Sequence, residues 1–156
     1  MLAVLALAEN AVGPTALKPL EVVSSLKGLS VEVSNTDAEG RLCLADAMTY
    51  AQTMHGGESL DSIIEMSTLT GACVVALGDE AAGLFTNDAT LEAELRAAGE
   101  ACAETLWPMP ILPHHEKEIS GEGSHADLKS CGPTRYGGAC TAAAFLKQFV
   151  EGETPW

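Results

Sequence analysis

The chain's 156 residues suffice for one ordinary domain with a real hydrophobic core, and 47% of them are apolar. Eight basic against twenty-two acidic residues leave a formal net charge of −14, a field that repels phosphate backbones and anionic lipid. Neither nucleic acid nor a membrane surface is an expected partner, whereas metal cations and the protonated amine of a peptide are mildly favoured.

Residues 2–7 are apolar, follow no basic residue and are too few to cross a bilayer, so they read as a buried strand and not as a signal peptide. Core sequence thus opens at Met1, and the chain stops at Trp156 without a polar tail, so both ends are expected to be cut. After a loop around Gly13-Pro14, a second extended segment is expected from Val31 to about Arg41. Leu44, Ala47, Met48 and Ala51 then recur at helical spacing, which predicts a helix from Cys43 to Met54 ended by Gly56-Gly57. Ile63, Ile64 and Met66 mark a buried strand over 62–68, and the apolar stretch from Gly71 to Leu77 leans to helix.

A strand is expected over Gly83–Thr86. Asn87 or Asp88 then caps a helix that presents Leu91, Leu95, Ala98 and Cys102 on one side. The last helix runs from about Ala139 to Val150. Between the last two helices, Trp107 to Gly138 is rich in Pro and Gly and aperiodic, the mark of a functional loop or an interface. Strands alternating with helices argue for an α/β fold: a layered, mostly parallel sheet flanked by helices. Cys43, Cys73 and Cys102 fall in apolar periodic stretches and read as reduced, mostly buried residues of a cytoplasmic protein. Cys131 and Cys140 match no zinc-ribbon spacing.

Chemistry concentrates in Asn35-Thr36-Asp37-Ala38-Glu39-Gly40-Arg41-Leu42. If this run is extended, side chains alternate, and Asp37, Glu39 and Arg41 share one face at the end of a strand, where α/β sheets place ligands. Two carboxylates suit hard or borderline divalent cations, and one of them could bridge two ions that activate water and polarise a carbonyl. Arg41 would hold an anion or steady an oxyanion through its planar fork. Taken by itself, an Asp-x-Glu followed by glycine is far more often a turn or a surface salt-bridge patch than a site.

The octapeptide resembles the signature of the leucine aminopeptidase family, the cytosol aminopeptidases. The similarity continues in order through Leu44-Ala45-Asp46-Ala47, Ser67-Thr68-Leu69-Thr70-Gly71-Ala72 and Gly78-Asp79-Glu80-Ala81-Ala82-Gly83-Leu84-Phe85. Leu106-Trp107-Pro108, Ala126-Asp127-Leu128-Lys129, Gly137-Gly138-Ala139 and Thr154-Pro155-Trp156 complete it over essentially the whole chain. The resemblance implies that residues 1–156 are part of a catalytic domain, with the N-terminal domain and the first part of the catalytic domain absent. It implies hydrolysis of N-terminal residues, leucine and similar, from peptides with a free N-terminus. Asp37 and Glu39 would bind metal, Glu39 bridging two ions of zinc, manganese or magnesium. Arg41 would hold a bicarbonate-like anion that serves as general base. Thr68, Leu69 and Gly71 would contact the substrate, Leu69 through its carbonyl and Gly71 through its amide, and Ala139 with Gly138 would help line the pocket for the first side chain. Full-length members form homo-hexamers.

Further metal ligands of the family, a lysine and two aspartates, and a second lysine that polarises the scissile carbonyl would all precede Met1. Lys18 and Lys27 match other parts of the pattern and do not replace them. Two ligands are too few for a two-ion site, so this chain alone is expected to be inactive or very weak; a truncated paralogue acting through subunit assembly is the alternative. The stretch 55–59 is longer than the family pattern and is expected to be a surface insertion. His114-His115 reads as an exposed or interface pair, and His55 and His125 as single loop residues. No phosphate-binding loop follows Gly71, and no Ser-His-Asp elbow is present.

Overall fold

The computed structural model describes residues 1–54 and 59–156. The first regular elements are the strands β1 (Val22–Ser24) and β2 (Ser30–Glu32), joined by a tight turn in which Gly28 takes φ 90° and donates its N–H to the carbonyl of Ser25 at 2.9 Å. Such a φ is open to glycine and strained for a side chain. The two strands pair antiparallel, and β5 (Leu128–Lys129) adds on the other side of β2 in parallel. A second sheet pairs β3 (Ala81–Leu84) with β4 (Thr105–Pro108), also parallel, with helix α3 (Ala89–Cys102) as the crossover. The α/β class is as expected, and two of the three pairings are parallel, but the strands fall into two small sheets.

The core is organised by α5 (Gly138–Lys147), whose residues Ala139 to Leu146 are all buried. A helix apolar on every side must be enclosed, and its neighbours supply the enclosure. Against it pack Ala45 and Met48 of α1 (Glu39–Thr53), together with Ile63, Ile119, Leu128, Phe149 and Trp156. The shorter helices α2 (Gly71–Leu77) and α4 (Pro113–Glu118) also rest on α5. The end of the chain is pinned by hydrogen bonds: Ile63 donates its N–H to the carbonyl of Pro155 at 2.8 Å, and Trp156 donates its N–H to Asn87 Oδ1 at 2.8 Å.

Several expectations are corrected. Residues 2–7 lie outside any strand and are exposed, because no strand among the described residues pairs with them or covers their apolar side chains. The same cause removes the strand expected over 62–68: Ile63 is buried, but Ile64 and Met66 are 57% and 88% exposed. The extended run does not continue to Arg41. Asn35 Oδ1 accepts the N–H of Asp37 at 3.0 Å, a 3-10 turn forms over Thr36–Ala38, and α1 starts at Glu39. Its buried side is Arg41, Ala45, Met48 and Thr49, which overlaps the expected face only at Met48. Gly56-Gly57 and the expected insertion lie mostly outside the described residues; α1 itself ends at Thr53.

Helix α2 forms as expected, and Asp88 is the residue that caps α3, its carboxylate accepting the N–H of Leu91 at 2.7 Å. On α3 only Leu91 of the expected apolar set is fully buried, Leu95 being half-buried and Ala98 and Cys102 exposed. The aperiodic region after Trp107 holds α4 and β5, elements too short to leave a periodic trace. All five cysteines are free; Cys140 is the buried one, with Cys43, Cys73 and Cys131 half-buried.

Candidate metal and substrate site

The turn over Thr36–Ala38 decides the geometry of the signature segment. Ala38 is buried and anchors the turn, while Asp37 and Glu39 on either side are exposed. Because α1 has begun, Glu39 and Arg41 stand roughly 200° apart around the helix axis and not on one face. Arg41 points inward and is 6% exposed. Its Nη1 donates to the carbonyl of Ser130 at 2.8 Å, and its Nε has no partner among the described residues. Burial lowers the guanidinium's pKa from its ordinary value, opposed by attraction from Cys131 and Glu39. A buried cation with an unused donor suits a bound anion, as the bicarbonate-like group expected there requires.

Distant parts of the sequence meet at this segment. A Cβ built on Gly40, between Glu39 and Arg41, would stand 3.1 Å from Leu69 Cδ1, so the 69–71 loop packs directly on the start of α1. Likewise a Cβ on Gly138 would stand 3.4 Å from Ala72 Cβ, which sets the start of α5 against the start of α2. Thr68 and Gly71 are exposed and Leu69 is half-buried, while Ala139 is 6% exposed. Direct packing thus brings together the start of α1, the segment from Leu69 to Ala72 and the start of α5, with Asp37 in the turn just before α1.

Asp37 and Glu39 offer exposed carboxylate oxygens, the right chemistry for zinc, manganese or magnesium. Among the described residues no third His, Cys, Asp or Glu joins a group able to hold an ion. The fit is that of part of a site. A groove of about 460 Å³, lined by Ser34, His114, Lys117, Glu118, Lys129 and Cys131, borders the entrance to the turn, and another of about 490 Å³ lies around Gln52, Leu60 and Glu151. Neither contains the carboxylate pair, and convergence of the signature segments is the better guide to the site.

The remaining candidates have structural roles. Lys27 Nζ donates to the carbonyl of Gln148 at 2.8 Å and pairs with Glu151 at 3.1 Å. His115 is buried, against expectation, because its Nδ1 accepts the N–H of Leu112 at 3.1 Å and closes the first turn of α4; His114 and His125 are exposed, and His55 lies outside the described residues. Pattern reasoning missed Ser130, fully buried behind Arg41; no local signal marks a serine whose neighbours lie about ninety residues away.

The chain superposes with a TM-score of 0.86 on a mutant of tomato leucine aminopeptidase, 42% identical, over 95% of this chain and 28% of that one. It matches leucyl aminopeptidase from Trypanosoma brucei with a TM-score of 0.87 at 35% identity, over 95% and 29%. The catalytic-domain profile of the cytosol aminopeptidase family matches residues 1–156. The chain belongs to the cytosol aminopeptidase family. It is 49% identical over 152 residues to the probable cytosol aminopeptidase of Trichodesmium erythraeum (strain IMS101), covering 97% of this chain and 29% of that protein. With the probable cytosol aminopeptidase of Synechococcus sp. (strain JA-3-3Ab) it shares 46% over 153 residues, 98% and 28% respectively. It therefore spans somewhat under a third of the length of these relatives. No helix among the described residues is long and apolar enough to cross a membrane.

Proposed function

We propose that the chain carries the acidic-pair part of a two-metal aminopeptidase site, in a protein that releases leucine and similar residues from peptides with a free N-terminus. The supporting observation is the packing of Leu69 on Gly40, which brings the substrate-loop segment onto the residue between Glu39 and Arg41. In this reading Asp37 and Glu39 would be the carboxylates that hold metal, Glu39 being the one shared between ions. When bound, zinc, manganese or magnesium would supply Lewis-acid polarisation of the scissile carbonyl and of the attacking water. Arg41, held from behind by Ser130 and with its Nε unpartnered among the described residues, would hold a bicarbonate-like anion, which would supply a general base. The Leu69 carbonyl and the Gly71 amide, with Thr68 beside them, align the peptide backbone, and Ala139 with Gly138 borders the first side chain. The remaining ligands would come from sequence outside residues 1–156, and the chain alone is expected to be inactive or very weak. The homo-hexamer and the cytoplasmic location follow only from the family resemblance.

The test is calorimetric titration of manganese and of zinc into the chain and into Asp37→Ala/Glu39→Ala. Saturable binding abolished by the double change supports the partial site; equal binding, or none in either protein, refutes it. Leucine amide cleavage that is stimulated by metal in this chain alone would overturn the expectation of inactivity.

A second reading has its own observation: Leu5, Leu7, Ile64, Met66 and Val75 expose apolar surface. A non-catalytic paralogue would use such surface to join full-length subunits. Failure of the chain to co-elute with a full-length family member would sink that reading.

A further inference from the structure

We infer that Ser130 is a positioning residue for the acidic turn and Arg41, holding both ends of the segment that carries them. The inference rests on the reading of Asp37 and Glu39 as metal ligands. Ser130 is fully buried at the end of β5, and three of its polar groups are engaged with that segment or the strand before it. Its N–H donates to the carbonyl of Glu32 at 2.8 Å, extending the β2–β5 pairing by one step. Its Oγ accepts the N–H of Ser34 at 3.0 Å, and its carbonyl accepts Nη1 of Arg41 at 2.8 Å.

The consequences run along the chain in both directions. Ser34 precedes Asn35, and Asn35 Oδ1 accepts the N–H of Asp37. One buried hydroxyl therefore fixes the entrance to the turn, while the carbonyl of the same residue fixes the guanidinium beyond it. Between these two anchors stand Asp37 and Glu39, exposed and held by the backbone alone. With the hydroxyl removed, the Ser34 N–H loses its acceptor in a half-buried place and the entrance must shift to find another. A shift at the entrance moves Asp37 relative to Glu39, which α1 holds. Outer groups that orient ligands in this way typically change metal affinity about 10- to 100-fold when they are lost.

The experiment compares manganese affinity, read as free manganese by electron paramagnetic resonance, in the wild-type chain and in Ser130→Ala, Ser130→Thr, Asp88→Ala and Asp37→Ala/Glu39→Ala. Amide hydrogen exchange at Ser34 and thermal melting are recorded on the same samples. The expected result is roughly tenfold weaker binding in Ser130→Ala, recovery in Ser130→Thr, which keeps the hydroxyl, and faster exchange at Ser34 in Ser130→Ala alone. Asp88→Ala removes a helix cap far from the turn in sequence, so it should lower the melting temperature and leave affinity unchanged. Wild-type affinity in folded Ser130→Ala overturns the inference and leaves the metal reading standing. An equal loss in Asp88→Ala also overturns it, since general destabilisation then suffices. Wild-type binding that the double carboxylate change does not remove, or no binding at all, overturns the metal reading and the inference with it. If Ser130→Ala does not fold, the Ser34 amide decides: rapid exchange in the wild-type chain means that the brace is absent.

Discussion

The substitution Phe145→Ala tests the claim that α5 is the support on which the site is built. Phe145 is fully buried and meets Phe149 with ring centroids 5.2 Å apart and planes inclined by 45°. Truncating a buried phenylalanine to alanine costs about 3–5 kcal/mol through lost burial and the cavity left behind. The tilted ring pair adds about 0.5–1.5 kcal/mol beyond burial. Phe149→Ala loses the same pair, so the double variant should fall short of the sum of the two singles by about 1 kcal/mol. A domain of ordinary stability has only about 5–15 kcal/mol in total, so either single change removes a large part of it. Urea unfolding followed by circular dichroism measures each cost, at low protein concentration because of the exposed apolar residues. A cost below about 1 kcal/mol for Phe145→Ala, or strictly additive singles with no coupling, would refute the assignment of α5 as the central packed helix. The same loss should appear as weakened manganese binding only in proportion to the unfolded fraction, since Phe145 and Phe149 are fully buried core residues and carry no metal-binding group.

Other consequences follow from single contacts. Asp88→Ala removes the carboxylate that accepts the Leu91 N–H and should cost about 1 kcal/mol, seen as a lower urea midpoint with an unchanged slope. For His115, burial and the nearby His114 lower the pKa below the ordinary 6.5, while Glu118 pulls it up. The unfolded chain then binds the proton more readily than the folded one. Stability should fall as pH drops below about 6.5 towards the folded value, and protonating Nδ1 also cancels the bond from Leu112. His115→Gln should flatten the fall in melting temperature below about pH 6.5; an unchanged profile would remove His115 from the account. The exposed apolar residues predict concentration-dependent self-association of the isolated chain, and a clean monomer across a dilution series in analytical ultracentrifugation would contradict it.

What was legible in the sequence was whatever depends on near neighbours or on an ordered set of motifs. The helical spacing from Leu44 to Ala51, the Asp88 cap and the apolar periodicity of α5 each signal their element within a few residues. The family, likewise, could be recognised from the octapeptide and the motifs that follow it in order. Local pattern erred where an element needs a distant partner. Residues 2–7 and 62–68 have the composition of strands, yet a strand exists only with another beside it, and the described residues supply none. Asp37, Glu39 and Arg41 have the spacing of one strand face, but the Asn35 side chain turns the backbone into a helix and sends Arg41 inward. Only the tertiary structure brought Leu69 onto Gly40, set Ala72 against Gly138 and placed Ser130 behind Arg41. Each of these contacts joins residues roughly thirty to ninety positions apart, and their geometry is decided by how the elements pack around α5, which no local spacing encodes.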